Sequence, residues 1–266
     1  MQNFPIGIFD SGVGGLSVWE EIVSFLPHES TIYLGDSYHA PYGKRTADEI
    51  YELSKKIMMF FIQQHVKLIV IACNTATVSC FERLKSDFRD MPLIGTVPVI
   101  KTAATIAKNI GVLATVRTSA SHYQKHLIAE FASQCNITTV GTNALVPFIE
   151  KGETHTNAFL KILKKELKPF QEADVDVIVL GSTHFAFIEQ QIRGIMRKNV
   201  QLLDSGAAIA RQVKRILEHN KTLAMTNTQN CVFYTTGNKN QFEATAKMLV
   251  RKDIRDKIGR VENILL

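Results

Sequence analysis

Residues 68–76 read Leu-Ile-Val-Ile-Ala-Cys-Asn-Thr-Ala, an uninterrupted apolar run followed by three short polar side chains. An apolar run without polar alternation is typical of a strand in a parallel sheet that is covered on both faces. The polar residues lie where this strand would end and a helix would begin. Ligands of open α/β sheets bind at such strand ends, so the stretch predicts an α/β fold with a site at Cys73.

Similar apolar runs alternate with amphipathic stretches along the rest of the chain. Strands are predicted at residues 6–10, 31–34, 68–72, 110–114, 137–140, 175–180, 201–203 and 231–235. Helical periodicity is clearest at residues 47–64, 156–168 and 207–219. Strands that alternate with helices predict mainly parallel sheets in a doubly wound α/β arrangement.

A weak internal repeat indicates two such sheets. Residues 177–185 read Val-Ile-Val-Leu-Gly-Ser-Thr-His-Phe, so Ser182 stands where the first copy has Cys73. Each copy follows an earlier strand at a similar separation, 63 residues from Asp10 to Cys73 and 68 from Ala114 to Ser182. Two related halves that face each other would place Cys73 and Ser182 on opposite walls of one cleft.

The repeat therefore predicts two similar α/β domains related by pseudo-symmetry, with the active site in the cleft between them. The first domain is expected to contain residues 1–97 and 205–266, and with them Cys73. The second is expected to contain residues 98–204, and with them Ser182. No linker rich in Pro, Gly or Ser separates the two, so short crossovers are expected.

Composition and charge exclude several classes of protein. Hydrophobic residues make up 45% and charged residues 21%, as in ordinary globular domains. The aliphatic runs are far shorter than the roughly 18 residues of a membrane span, and the N-terminal sequence lacks the features of a secretory signal. The expected compartment is the cytoplasm. Although the net charge is +6, the basic residues are scattered without interleaved aromatics, so specific nucleic-acid binding is not expected.

The cysteines and histidines do not suggest a metal site. No two of the four cysteines have the spacing of metal ligands, and Cys80, Cys135 and Cys231 are interpreted as small buried hydrophobic residues. His122 and His126 are four residues apart and would share a helix face. They have no apparent carboxylate or cysteine partner, so a solvated face is the expectation.

A glycine-rich turn, Asp10-Ser-Gly-Val-Gly-Gly, follows the first predicted strand. Glycines allow close approach of a ligand to the backbone, and the next helix would offer free N–H groups to an anion. The turn lacks the glycine spacing of a dinucleotide-binding motif and the lysine of a P-loop. We expect it to bind a small carboxylate; the alternative is a turn that only starts a helix.

Cys73 would lie at the N-terminus of the helix that follows its strand. That position is expected to lower the pKa of the thiol and raise its thiolate fraction. Asn74 and Thr75 supply short polar groups suited to the carboxylate and ammonium of a zwitterion. The alternative is a structural cysteine at the end of a core strand.

The pair Ser182 and His184 suggests a Ser–His hydrolase at first sight. The Gly-x-Ser-x-Gly motif is absent, however, and side chains two residues apart on a helix do not face each other. The turn-rich loop at residues 38–43 either folds over the cleft or is an ordinary surface turn.

Together these motifs resemble those of the glutamate racemases. The matching segments are residues 10–16, Asp36 with residues 41–43, residues 72–76 and residues 181–185, in the same order and spacing. The resemblance implies two α/β domains, usually a homodimer, and neither pyridoxal phosphate nor a metal. It also implies that D-glutamate is supplied for peptidoglycan synthesis.

The resemblance further implies a role for each matching residue. In such enzymes one cysteine removes the α-proton from one face of glutamate and a second cysteine delivers a proton to the other. Cys73 would serve the D-enantiomer, with Asp10 and His184 as assisting acid–base groups. The residues expected to hold the substrate are Asp10, Ser11, Tyr42, Gly43, Asn74, Thr75, Thr183 and His184.

This chain departs from the family pattern at the second cysteine, which is Ser182 here. Residues 185–187 also read Phe-Ala-Phe in place of the usual Phe-Pro-Leu. An alcohol is a far weaker acid than a thiol, so a weakened racemase is expected. The alternatives are an impaired, racemase-like protein that binds a partner, and a racemase for aspartate or a related amino acid.

Overall fold

The chain is built on two parallel sheets, and the computed structural model describes it over residues 2–226 and 229–266. In these ranges the first sheet has six strands, β1 (Ile6–Asp10), β2 (Thr31–Gly35), β3 (Leu68–Ile71), β4 (Leu93–Gly95), β9 (Cys231–Thr235) and β10 (Val261–Asn263). Their order is β10-β9-β2-β1-β3-β4. The order reverses at β1, so the ends of β1 and β3 lie at the switch point where ligands bind.

The second sheet repeats this arrangement on a smaller scale. Its strands in the described residues are β5 (Asn109–Ala114), β6 (Asn136–Gly141), β7 (Val177–Gly181) and β8 (Gln201–Leu203), in the order β6-β5-β7-β8. All the pairings are parallel, with Ala114 opposite Gly181. The central strands β5 and β7 correspond to β1 and β3, which confirms the two-sheet α/β fold.

Helices cover both faces of each sheet. The α-helices of the described residues are α1 (Leu16–Phe25), α2 (Ala47–Gln63), α3 (Asn74–Asp87), α4 (Ile100–Ile106), α5 (Val116–Ala120), α6 (His122–Phe131), α7 (Val146–Glu150), α8 (Asn157–Glu172), α9 (Thr183–Ala186), α10 (Glu189–Ile195), α11 (Gly206–His219) and α12 (Lys239–Leu249). Local sequence fixes several helix starts; Thr46, for example, forms a capping box with Glu49 at α2.

Apolar stripes on these helices form the core. On α8, Phe159, Leu163, Leu167 and Phe170 are fully buried against the second sheet. On α1, Trp19 packs edge-on against Phe233 of β9. Burial of each such side chain stabilises the fold by about 1.5–3 kcal/mol. The covered sheets leave their strand ends as the place where polar residues can meet.

Two short strands were not expected from the sequence. Strands β4 and β10 have three residues each, too few for a clear apolar pattern. Cys80 is buried as expected, whereas Cys135 and Cys231 are only partly buried, because both lie near the ends of strands. No helix in the described part of the chain is long and apolar enough to span a membrane.

Candidate active site

A small, partly enclosed cavity lies at the carboxyl ends of β1, β3 and β7. The site residues predicted from the sequence all line it: Asp10, Ser11, Tyr42, Gly43, Cys73, Asn74, Thr75, Ser182, Thr183 and His184. Its free volume of about 10 Å³ is roughly what one water molecule needs. This free volume is far smaller than an amino acid.

Cys73 forms the first wall, at the junction of β3 and α3. The residue has an extended backbone and caps the 14-residue helix α3, and its Sγ accepts a hydrogen bond from the Ala76 N–H at 3.5 Å. The thiol also lies 3.8 Å from Ser11 Oγ. These contacts aim the sulfur into the cavity.

The pKa of Cys73 does not follow the expectation from the sequence. Burial of the thiol and the nearby Asp10 carboxylate raise the pKa of Cys73 well above its ordinary value of 9.0. The hydrogen bond from Ala76 acts in the opposite direction but is the smaller effect. The expectation of a lowered pKa at the helix N-terminus is therefore wrong for the closed cavity, where loss of solvation outweighs the helix.

Asp10 lies beside Cys73 at the end of β1 and is completely buried. Its Oδ2 accepts a hydrogen bond from the Gly15 N–H at 2.6 Å. Burial raises the pKa of Asp10 above 3.8, while the His184 side chain lowers it. Asp10 and Cys73 thus form a buried pair in which burial raises the pKa of both members.

Ser182 forms the facing wall, at the end of β7. It has the same extended backbone as Cys73, but its side chain does not cap the following helix. That helix, α9, has only four residues, compared with 14 in α3. The dipole of α9 therefore stabilises negative charge at Ser182 much less than the dipole of α3 does at Cys73.

His184 lies near Ser182 and is hydrogen-bonded to a carboxylate that was not predicted from the sequence. Its Nε2 lies 2.5 Å from Glu150 Oε1, at the end of α7. Burial alone would lower the pKa of the imidazole, but the hydrogen bond and charge of Glu150 raise it above 6.5. No motif surrounds Glu150 in the sequence, so only the fold brings it to His184.

The glycine turn lies against the second wall. Glu150 Oε1 accepts the Val13 N–H at 2.9 Å, and Asp10 accepts the Gly15 N–H, so two side-chain carboxylates of the protein occupy these donors. A Cβ on Gly12 would overlap the Glu150 carboxylate, and one on Gly14 would overlap the His184 ring. The glycines therefore permit close contact with the second wall, and the binding of a small carboxylate at this turn stays a prediction.

Further polar residues complete the cavity. Thr75 Oγ1 lies 3.0 Å from Thr115 Oγ1, which joins α3 to the end of β5. Asn143 and Val146 line the same cavity and approach it from the second sheet. Thr115 and Asn143 follow strands and Val146 begins α7, and none of the three belongs to a recognisable motif, so periodicity alone does not single them out.

The two spaced histidines lie away from this cavity. His126 forms an exposed ion pair with Glu130, at 3.1 Å. Over residues 2–226 and 229–266, no cluster of three or more His, Cys, Asp or Glu side chains is arranged to hold a metal ion. The solvated-face interpretation of His122 and His126 agrees with this placement.

Two parallel sheets whose strand ends bring Cys73 and Ser182 to one cavity define an α/β protein with a site shared by both sheets. The chain belongs to the Asp/Glu/hydantoin racemase family, whose sequence model matches residues 6–213. Its curated relatives include the glutamate racemase of Pseudomonas putida strain W619, 37% identical over 91% of this chain and 92% of that protein. The glutamate racemase of Clostridium novyi is 36% identical over 94% of this chain and 98% of its own.

Solved structures give the same result. The glutamate racemase of Francisella tularensis in complex with D-glutamate superposes with a TM-score of 0.87 at 27% identity, covering 100% of this chain and 98% of that one. The Escherichia coli glutamate racemase in complex with L-glutamate and the activator UDP-MurNAc-Ala gives 0.84 at 32% identity, covering 98% of both chains.

Proposed function

We propose that this protein interconverts L- and D-glutamate by direct proton transfer at the α-carbon. The observation that carries the proposal is the convergence of Cys73 and Ser182, from matching strand ends of two sheets, on one partly enclosed cavity. Two groups are needed because a single base returns the proton to the face from which it came. The identity to glutamate racemases over nine-tenths of the chain supports glutamate as the substrate.

On the first wall, Cys73 acts on D-glutamate. The raised pKa of the buried thiol favours its protonated form, and the thiol has to lose this proton before it can act as a base. Asp10, in its carboxylate form, is the adjacent group that accepts this proton. The resulting thiolate removes the α-proton and forms an S–H bond, while the C–H electron pair remains on the substrate as a carbanion.

On the second wall, the proton is delivered from Ser182, from a water beside it, or from His184. His184 is the best matched of the three because Glu150 raises its pKa and so increases its protonated fraction near neutral pH. An alcohol at position 182 supplies a poor acid. The absence of a positioned acid or base typically costs about 10²–10⁴ in rate, so we expect a slow enzyme.

The remaining polar residues of the cavity hold the substrate. Their hydroxyl, amide and backbone groups suit an ammonium group and two carboxylates: Ser11, Tyr42, Gly43, Asn74, Thr75 and Thr183. Asp10 and His184 contact the substrate as well as assist proton transfer. Bound glutamate would replace the direct contacts between the walls after they open.

The wider organisation follows from the same proposal. Residues 1–97 with 205–266 form one domain and residues 98–204 the other, consistent with the strands of each sheet. The enzyme acts as a homodimer in the cytoplasm and supplies D-glutamate for peptidoglycan synthesis. It needs no cofactor; activity lost on dialysis against a chelator, or an absorption band of pyridoxal phosphate, would contradict this.

Circular dichroism of each glutamate enantiomer incubated with purified protein tests the proposal. The expected result is a slow approach to the same racemic endpoint from both sides. L- and D-aspartate serve as the matched substrates. Turnover of aspartate without turnover of glutamate would show that aspartate is the substrate. Turnover of neither would favour a racemase-like binding protein, the alternative that Ser182 suggests.

A further inference from the structure

A threonine after strand β9 of the first sheet is hydrogen-bonded to a loop that lines the cavity. Strand β9 lies beside β2, and Thr236 follows its last residue. The loop after β2, residues 36–45, carries Tyr42 and Gly43 to the cavity. Thr236 therefore lies next to the loop that forms one side of the site.

Asp36 anchors this loop from within. Its side chain is 1% exposed and accepts three hydrogen bonds: from Tyr42 Oη at 2.6 Å, from Thr236 Oγ1 at 2.6 Å and from His39 Nδ1 at 2.8 Å. The Asp36 N–H also donates to the Asp10 carbonyl at 2.9 Å, next to the catalytic groups. A buried carboxylate needs such partners, so the position of Tyr42 depends on how Asp36 is held.

Thr236 holds the loop at two points. Its hydroxyl donates to Asp36 Oδ1 and accepts the Tyr38 N–H at 3.1 Å. The Tyr38 side chain is 74% exposed, so packing of that side chain does little to hold this part of the loop. A single hydroxyl thus connects β9 to the carboxylate that orients Tyr42 and to the loop backbone.

We propose that Thr236 is a positioning residue of the active site, which acts through Asp36 to set Tyr42 and Gly43 against the substrate. The inference rests on the proposed glutamate racemase function for its kinetic consequence. It assigns the C-terminal segment a part in substrate binding, since that segment supplies the hydroxyl. The Thr236 hydroxyl is hydrogen-bonded to the loop, so its loss should affect binding more than proton transfer.

Thr236→Val tests this directly, because the valine side chain has the shape of threonine but can neither donate nor accept a hydrogen bond. The expected result is a KM for D-glutamate raised about tenfold or more, as for loss of a hydrogen bond to a charged group, with a much smaller change in kcat. Thr236→Ser should restore the KM. Thr226→Val, at an exposed threonine of the preceding segment, is the matched control and should leave KM unchanged.

Hydrogen exchange of residues 36–45, measured by mass spectrometry, gives a second readout that needs no turnover. Thr236→Val should speed exchange there, while Thr236→Ser and Thr226→Val should not. An unchanged KM and unchanged exchange in Thr236→Val would overturn the inference, as would equal effects in Thr236→Val and Thr236→Ser. If the unmodified protein turned over neither enantiomer, the proposed function would fail, while exchange would still decide whether Thr236 holds the loop.

Discussion

His184 Nε2 lies 2.5 Å from Glu150 Oε1, and the same carboxylate oxygen accepts the Val13 N–H of the glycine turn at 2.9 Å. Glu150 thereby joins the Ser182 wall to the turn that begins at Asp10. The ion pair is nearly buried, with side-chain exposures of 5% for His184 and 18% for Glu150. One carboxylate therefore raises the pKa of His184 and also links the two walls.

Glu150→Gln should slow racemisation by about tenfold or more, because the neutral amide removes the charge that raises the pKa of His184. The pKa of His184 should fall, so the loss should grow as the pH rises through neutrality. Rates measured by circular dichroism from pH 6 to 9 would show this. Glu153→Gln, at an exposed site in the following turn, is the control; identical pH profiles for the two variants would contradict the role of Glu150.

Ser182→Cys should raise the racemisation rate by about 10²–10⁴, since it restores a thiol where proton delivery is limiting. Ser182→Ala is the matched variant, because it removes the hydroxyl without adding a thiol. Steady-state rates from both enantiomers would compare the three proteins. A Ser182→Cys rate no higher than that of the unmodified protein would show that another step limits turnover.

Much of this architecture can be predicted from the sequence because apolar strands that end in polar turns are local signals. The runs before Cys73 and Ser182 revealed both the paired sheets and the two walls. Glu150 and Thr115 could not be found in this way, since their roles arise from contacts between segments distant in the chain. The pKa of Cys73 was mispredicted for a similar reason: the helix N-terminus is visible in the sequence, but the burial that outweighs it is not.

Stability should depend on pH through Glu20, which is buried on α1 and accepts the Arg251 N–H. Burial raises the pKa of Glu20 from 4.5 to about 7. The folded state therefore binds this proton more tightly than the unfolded state does. The stability that protonated Glu20 contributes is fully present below about pH 4.5 and is lost as the pH rises to about 7. This loss lowers the free energy of unfolding by about 3 kcal/mol.

Urea unfolding of Glu20→Gln between pH 5 and 8 would measure this contribution. The variant keeps an acceptor for Arg251 but no longer titrates, so its stability should fall less with pH than that of the unmodified protein. Glu21→Gln, at the neighbouring and more exposed carboxylate, should retain the original pH dependence. Parallel pH profiles for Glu20→Gln and the unmodified protein would show that Glu20 is not responsible.

Proton NMR of each glutamate enantiomer in deuterium oxide tests the central claim most directly, namely that Cys73 and Ser182 act on opposite faces of glutamate with unequal efficiency. Cys73 can still remove and return the proton of the D-enantiomer, whereas delivery from the Ser182 side is slow. The predicted result is that deuterium enters D-glutamate faster than L-glutamate appears. Rapid interconversion at the rate of exchange would contradict the limiting role of Ser182, and exchange into neither enantiomer would contradict the racemase function itself.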